Sequence, residues 1–106
     1  KIVSEVRSGV LSNDLSSYTQ CRHVLANGVI ELIRPDPSIS VPTLVMTCEN
    51  DSGSTPAMAN AIGQEIKGSE VVVIPDLKHL GLLEEPELFI SSLKNFLDRH
   101  WHNLSL

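Results

Sequence analysis

The sequence has 106 residues, 42% of them hydrophobic and 20% charged, a composition typical of one small globular domain. Its formal net charge is −5 and its Lys and Arg residues are scattered, which argues against a nucleic-acid partner. No apolar run approaches the roughly 20 residues of a transmembrane helix, so we expect no membrane partner.

The first 34 residues, 1–34, have the pattern of two amphipathic helices. Apolar residues recur at helical spacing in two stretches, first as Val3, Val6 and Val10 and then as Leu15, Tyr18, Cys21 and Leu25. Asn13 is the predicted N-cap of the second helix, and Asn27-Gly28 is predicted to end it. Each helix has one apolar stripe, so we expect both to lie against another surface.

The segment 35–106 begins with Pro35-Asp36-Pro37 and then alternates between strand and helix patterns. Residues 41–48 and 70–74 are nearly continuous apolar runs, as in parallel strands that are buried on both faces. Each run is followed by a predicted helix. One begins at Thr55-Pro56 and carries Met58, Ile62 and Ile66 on one face; the other begins at Pro86 and carries Phe89, Leu93, Phe96 and Leu97. This order predicts an α/β fold with a right-handed connection between parallel strands.

Two parallel strands do not make a sheet that is stable alone, because both strands leave an unpaired edge. We therefore expect further strands from a missing N-terminal part of the same fold or from a second copy, as in a homodimer that pairs strand edges. The first residue is Lys1 rather than Met, which fits a longer parent chain. Cys21 and Cys48 share no motif and have apolar neighbours, so we predict two reduced core thiols and a cytoplasmic location.

Residues that can carry chemistry follow the carboxyl ends of the two predicted strands, where open parallel sheets place their functional loops. Asp51 lies in the loop 49–54 and His79 in the loop 76–81. Adjacent parallel strands bring these loops to one end of the sheet. There a carboxylate can orient a histidine and leave its second ring nitrogen free as a general base.

These two segments resemble the α/β-hydrolase family. The stretch from Pro42 to Pro56 is similar to the family's acid-bearing strand and loop, and the stretch from Val71 to Phe89 to its histidine loop and last helix. The resemblance is greatest to the esterase, lactonase and haloperoxidase-like branch, including 3-oxoadipate enol-lactonases. It implies that Asp51 and His79 are the catalytic acid and base, and that residues 1–34 are lid-like helices.

The family's Gly-x-Ser-x-Gly nucleophile motif is absent, as is the upstream loop that completes its oxyanion hole. Cys48 stands where a glycine is common in the family, and the segment 76–78 where small residues are common. Asp76 or Glu49 remain alternative acids. Ser52 and Ser54 are interpreted as capping residues and Glu84 as a residue of a helix start.

We therefore predict a C-terminal fragment of a serine-type hydrolase that acts on a carboxylic ester or lactone and requires no cofactor. The histidines His23, His100 and His102 lack the spacing of metal ligands, so no metal site is predicted. The isolated chain is expected to be inactive. The alternative is a non-catalytic binding or assembly module with a degenerate hydrolase fold.

Overall fold

The computed structural model of the chain describes residues 1–32 and 39–101, which fall into two compact units on either side of residues 33–38. The described elements are, in order, α1 (Ile2–Leu11), α2 (Leu15–Leu32), β1 (Leu44–Cys48), α3 (Pro56–Glu65), β2 (Glu70–Ile74), α4 (Gly81–Glu84) and α5 (Pro86–His100). None of the helices in these residues has both the length and the apolar character needed to cross a bilayer.

The first unit consists of α1 and α2, and the predicted limits of α2 were wrong at both ends. Asp14 rather than Asn13 caps the helix, because its Oδ2 accepts the Ser17 backbone N–H at 2.8 Å. The helix also continues through Asn27-Gly28. A glycine inside a helix costs only about 1 kcal/mol, which continued backbone hydrogen bonding offsets.

The apolar stripes of the first unit are exposed. No residue of α1 is buried, and Val3, Leu15 and Leu25 are largely accessible to solvent. Cys21 is an exposed free thiol, so its prediction as a core residue was wrong. Helical spacing had indicated which residues share a face, but spacing does not show whether that face meets a partner.

The second unit contains a parallel pair of strands, which confirms the predicted mixed α/β class and strand pairing. The register aligns Leu44 with Glu70 and Cys48 with Ile74. β2 has the predicted limits, whereas β1 begins three residues later than expected, at Leu44. Pro42 accounts for this difference because proline has no N–H to donate to a strand neighbour.

Helices α3 and α5 cover opposite faces of the two-stranded sheet. Val71 of β2 fills the space beside Gly63 of α3 that a Cβ atom would occupy. Glu70, the residue before Val71 in β2, instead binds α5, accepting from Nε2 of His100 at 2.9 Å and from Arg99. Neighbouring strand residues point to opposite faces, so the sheet lies between the two helices.

The core of this unit is small, and its buried apolar residues are Cys48, Ala59, Ile74 and Phe96. α3 meets the sheet through its small residues, so Met58 and Ile62 of the predicted stripe are about half-exposed. On α5 the predicted stripe is divided between two sides of the helix. Phe96 is buried, whereas Leu93 and Leu97 remain exposed.

Candidate catalytic site

Asp51 is fixed by the turn that connects β1 to α3. The carboxylate is only 7% exposed, and its Oδ1 accepts backbone N–H groups from Gly53 and Ser54, each at 2.8 Å. Helix α3 begins immediately afterwards, with Thr55 as N-cap and Pro56 at its first position, as predicted. Both backbone donors use Oδ1, so Oδ2 is available to another partner.

That partner is His79, whose Nδ1 lies 2.9 Å from Oδ2 of Asp51. An ionised carboxylate can only accept hydrogen bonds, so Nδ1 must carry the proton. The neutral ring then has its lone pair on Nε2, which has no hydrogen-bond partner among the described residues. The side chain is 72% exposed, so this nitrogen is open to an approaching group.

The surroundings of Asp51 favour its charged form. The Ser54 N–H and the His79 ring are the two strongest influences that lower the pKa of this carboxyl below its usual range, and they outweigh the opposing effect of burial. The carboxylate is therefore ionised near neutral pH. In that state it holds the His79 ring and stabilises the imidazolium that forms when Nε2 takes a proton.

Backbone hydrogen bonds tie the histidine loop to the loop after β1. The Glu49 N–H donates to the carbonyl of Ile74 at 2.8 Å, and the Asn50 N–H donates to that of Leu77 at 2.9 Å. The Glu49 side chain accepts the Asp76 N–H at 2.9 Å. Asp76 has a φ of 60°, in the left-handed region, and this contact helps to hold it there.

The predicted alternatives for the acid have other positions. Asp51 is the carboxylate bonded to His79, while the Glu49 carboxylate binds the backbone of the neighbouring loop. Ser54 contributes through its backbone and not as a side-chain cap. Thr47, which was not among the predicted site residues, is a buried strand residue whose hydroxyl donates to the Ser54 carbonyl and so supports the turn around Asp51. A polar residue at the end of an apolar strand was the available signal.

Gly81 lets the histidine loop approach the end of β1 closely. A Cβ atom at this position would lie 2.6 Å from Sγ of Cys48 and 2.9 Å from Cβ of Leu77. Burial raises the pKa of the Cys48 thiol, and the negative charge of Asp51 raises it further. Cys48 is therefore a protonated packing residue and a poor nucleophile.

We expect Gly81→Ala to destabilise the chain by about 1–3 kcal/mol, because the added methyl group overlaps Cys48 and Leu77. Urea denaturation followed by circular dichroism measures the change. Gly9→Ala is the matched control, since a Cβ at that helical position meets nothing within 4 Å. The control should be neutral or slightly stabilising. Equal stability of the two variants would contradict the close approach.

Acid should destabilise the second unit through two carboxylates. The pKa of Glu70 is lowered by hydrogen bonds from His100 and Arg99, as that of Asp51 is by its own partners. A carboxyl with a lowered folded pKa stabilises the fold above its unfolded pKa of about 4, and this stability disappears as pH falls through the folded value. Melting temperatures between about pH 6 and pH 2.5 test this expectation. Glu70→Gln should flatten the profile, because it removes one of these two carboxyl groups.

The described residues contain no group of three or more His, Cys, Asp and Glu side chains placed to hold a metal ion. His100 is bonded to Glu70, and His102 lies outside the described residues. No known protein-family model matches the chain.

Proposed function

We propose that this chain supplies the acid and the base of the catalytic triad of a serine-type α/β-hydrolase that acts on a carboxylic ester or lactone. The observation that carries the proposal is the Asp51–His79 hydrogen bond, which leaves Nε2 of a mostly exposed imidazole open. In a triad, this is the nitrogen that takes the proton of the nucleophile. The resemblance of the two loops to the hydrolase family supplies the reaction class.

The nucleophile of this proposal lies on another segment, because the sequence contains no Gly-x-Ser-x-Gly motif. Its serine Oγ transfers a proton to Nε2 of His79 and attacks the carbonyl carbon of the substrate. The resulting tetrahedral intermediate expels the alkoxide, which takes the proton from Nε2, and an acyl-enzyme remains. Water then gives a proton to Nε2 and attacks the acyl carbon. The proton returns from Nε2 to the serine Oγ as the carboxylic acid product is released.

Asp51 remains ionised throughout this cycle. Its hydrogen bond keeps the proton on Nδ1 and stabilises the positive charge that the ring carries after each proton transfer. Its own position depends on the two backbone N–H groups of the turn. These N–H groups hold the Asp51 carboxylate in place, which favours a single orientation of the His79 imidazole.

The outer edge of β1 is the place we propose for the missing part of the fold. Among the described residues β1 pairs only with β2, so one of its edges has no strand neighbour. A groove of about 230 Å³ lies beside it, with Val45 and Thr47 of β1 on one side and Met58 and Ile62 of α3 on the other. A neighbouring strand and helix would cover this groove, including the half-exposed Met58 and Ile62.

The upstream coding sequence is the first test, and we expect it to encode Gly-x-Ser-x-Gly directly after an apolar strand. The intact protein should hydrolyse p-nitrophenyl acetate and react with a fluorophosphonate probe at that serine. The 106-residue chain alone should do neither. An intact protein with no reactive serine would reject the proposal.

A non-catalytic assembly module is the second candidate, and it is favoured by the many exposed apolar side chains of both units. It requires a partner for these surfaces but no reaction at His79. The two candidates differ in the effect of His79→Ala. The substitution removes activity from a hydrolase and leaves the association of an assembly module unchanged.

A further inference from the structure

Helix α5 has a second apolar stripe beside the side that faces the sheet. Phe89, Ser92 and Phe96 form the less exposed side of the helix. One residue further on, at about 100° around the helix, Ile90, Leu93, Leu97 and Trp101 are 52%, 47%, 39% and 67% exposed. Trp101 keeps helical backbone angles and extends the stripe by one position.

These four residues line a groove of about 430 Å³ whose other walls are Lys94 and Asp98. The two charged residues are four apart, so they lie on the same flank of the helix. The groove is thus an apolar strip with one positive and one negative group along one margin. Such a strip is the pattern of an interface core with a polar rim.

The order of these residues is nearly symmetric about the middle of the stripe. Ile90 and Trp101 are equally far from a point between residues 95 and 96. Leu93 and Leu97 have their midpoint at residue 95, and Lys94 and Asp98 have theirs at residue 96. The three midpoints agree within one residue, or about 1.5 Å along a helix.

We propose that this stripe binds the same stripe of a second copy of the chain, with the two α5 helices antiparallel across a two-fold axis. That axis places Ile90 opposite Trp101 of the second copy and Leu93 opposite Leu97. An antiparallel pair keeps equivalent flanks on the same side, so Lys94 of each copy faces Asp98 of the other. The stripe is therefore complementary to itself both in the order of its apolar side chains and in its charges, as an isologous interface requires.

This interface is distinct from the pairing of strand edges that the sequence suggested, and it does not depend on the proposed catalytic role. It involves one helix from each copy, so its area is at the lower end for specific complexes. We expect a reversible dimer with a dissociation constant in the micromolar range. Salt should weaken it, since its two charge pairs are exposed.

Analytical ultracentrifugation of the full chain at about 5–500 µM tests the proposal. Lys94→Asp and Asp98→Lys should each weaken the dimer by about tenfold, because the symmetry disrupts both charge pairs at once. The double variant K94D/D98K restores both pairs in reversed order and should recover most of the affinity. Leu97→Asp should abolish the dimer.

Lys67→Asp is the control for the change of charge, since Lys67 is exposed in the connection between α3 and β2. It should leave the dimer intact, and circular dichroism should show every variant folded. A monomer at all concentrations would overturn the proposal. A dimer that the α5 substitutions do not change, or that the double variant does not recover, would also overturn it.

Discussion

If the intact protein is the proposed hydrolase, replacing His79 with alanine is expected to lower its kcat/KM by about 10⁴-fold or more, with little change in KM. The reason is that Nε2 takes part in every proton transfer of the proposed cycle, and no other described side chain is bonded to Asp51 in its place. The loss should fall on both acylation and deacylation. Stopped-flow measurements with p-nitrophenyl acetate separate these two steps.

The matched control is His23→Ala, because His23 is exposed on α2 and is bonded to Asn27 of the same helix. That variant should retain the activity of the parent. Added imidazole should restore part of the activity of His79→Ala, since the lost ring was exposed and leaves room for a free one. Near-full activity of His79→Ala would exclude His79 as the base.

The position of the candidate site could be predicted from the sequence because two apolar runs of strand length can be arranged in few ways in one sheet. Two parallel strands of one sheet must deliver the loops after Cys48 and Ile74 to the same end, and the observed register does so. Asp51 and His79 were the polar residues in those loops suited to a proton relay. What the pattern left open was which carboxylate would face the ring, because Glu49 and Asp76 lie in the same loops.

That choice depends on backbone geometry that side-chain patterns do not contain. Asp51 is selected because a tight turn presents two N–H groups to one of its oxygens and directs the other towards His79. Glu49 is longer and reaches the backbone of the next loop instead. The close approach of Gly81 to Cys48 determines how near the histidine loop lies to the end of β1. This distance likewise cannot be inferred from the sequence pattern.

Helix faces were the least predictable feature because helical spacing identifies apolar residues and not their neighbours. On α3, Ala59 and Gly63 allow the helix to approach the sheet, so the larger Met58 and Ile62 lie at the margin. On α5, apolar residues occupy two adjacent stripes, and one stripe is enough to cover β2. The surplus apolar surface is the physical basis of the proposed dimer.

The substitution Asp51→Asn should reverse the tautomer of His79, and this can be measured on the 106-residue chain itself. The two backbone N–H groups at Oδ1 require an acceptor, so the amide oxygen of Asn must occupy that position. The amide nitrogen then takes the place of Oδ2 and points its N–H at Nδ1 of His79. Nδ1 must become the acceptor, which moves the ring proton to Nε2 and removes the base.

Nitrogen-15 NMR of the histidine ring, at a pH where it is neutral, identifies which nitrogen is protonated. We expect the proton on Nδ1 in the unmodified chain and on Nε2 in Asp51→Asn, with the fold preserved. In the intact protein, if it is the proposed hydrolase, the same substitution should lower kcat by about 10⁴-fold, a loss of the size that the wrong tautomer causes in serine proteases.

Asp76→Asn and Glu49→Gln are the matched controls, because both residues are carboxylates of the same two loops. Neither substitution should change the tautomer, since the acceptor at Nδ1 of His79 is the Asp51 carboxylate at 2.9 Å. If Asp76→Asn moved the proton to Nε2 and Asp51→Asn did not, Asp76 would be the acid. The turn after β1 thus determines which carboxylate is bonded to His79, because its two N–H groups hold one oxygen of Asp51 and leave the other facing the ring.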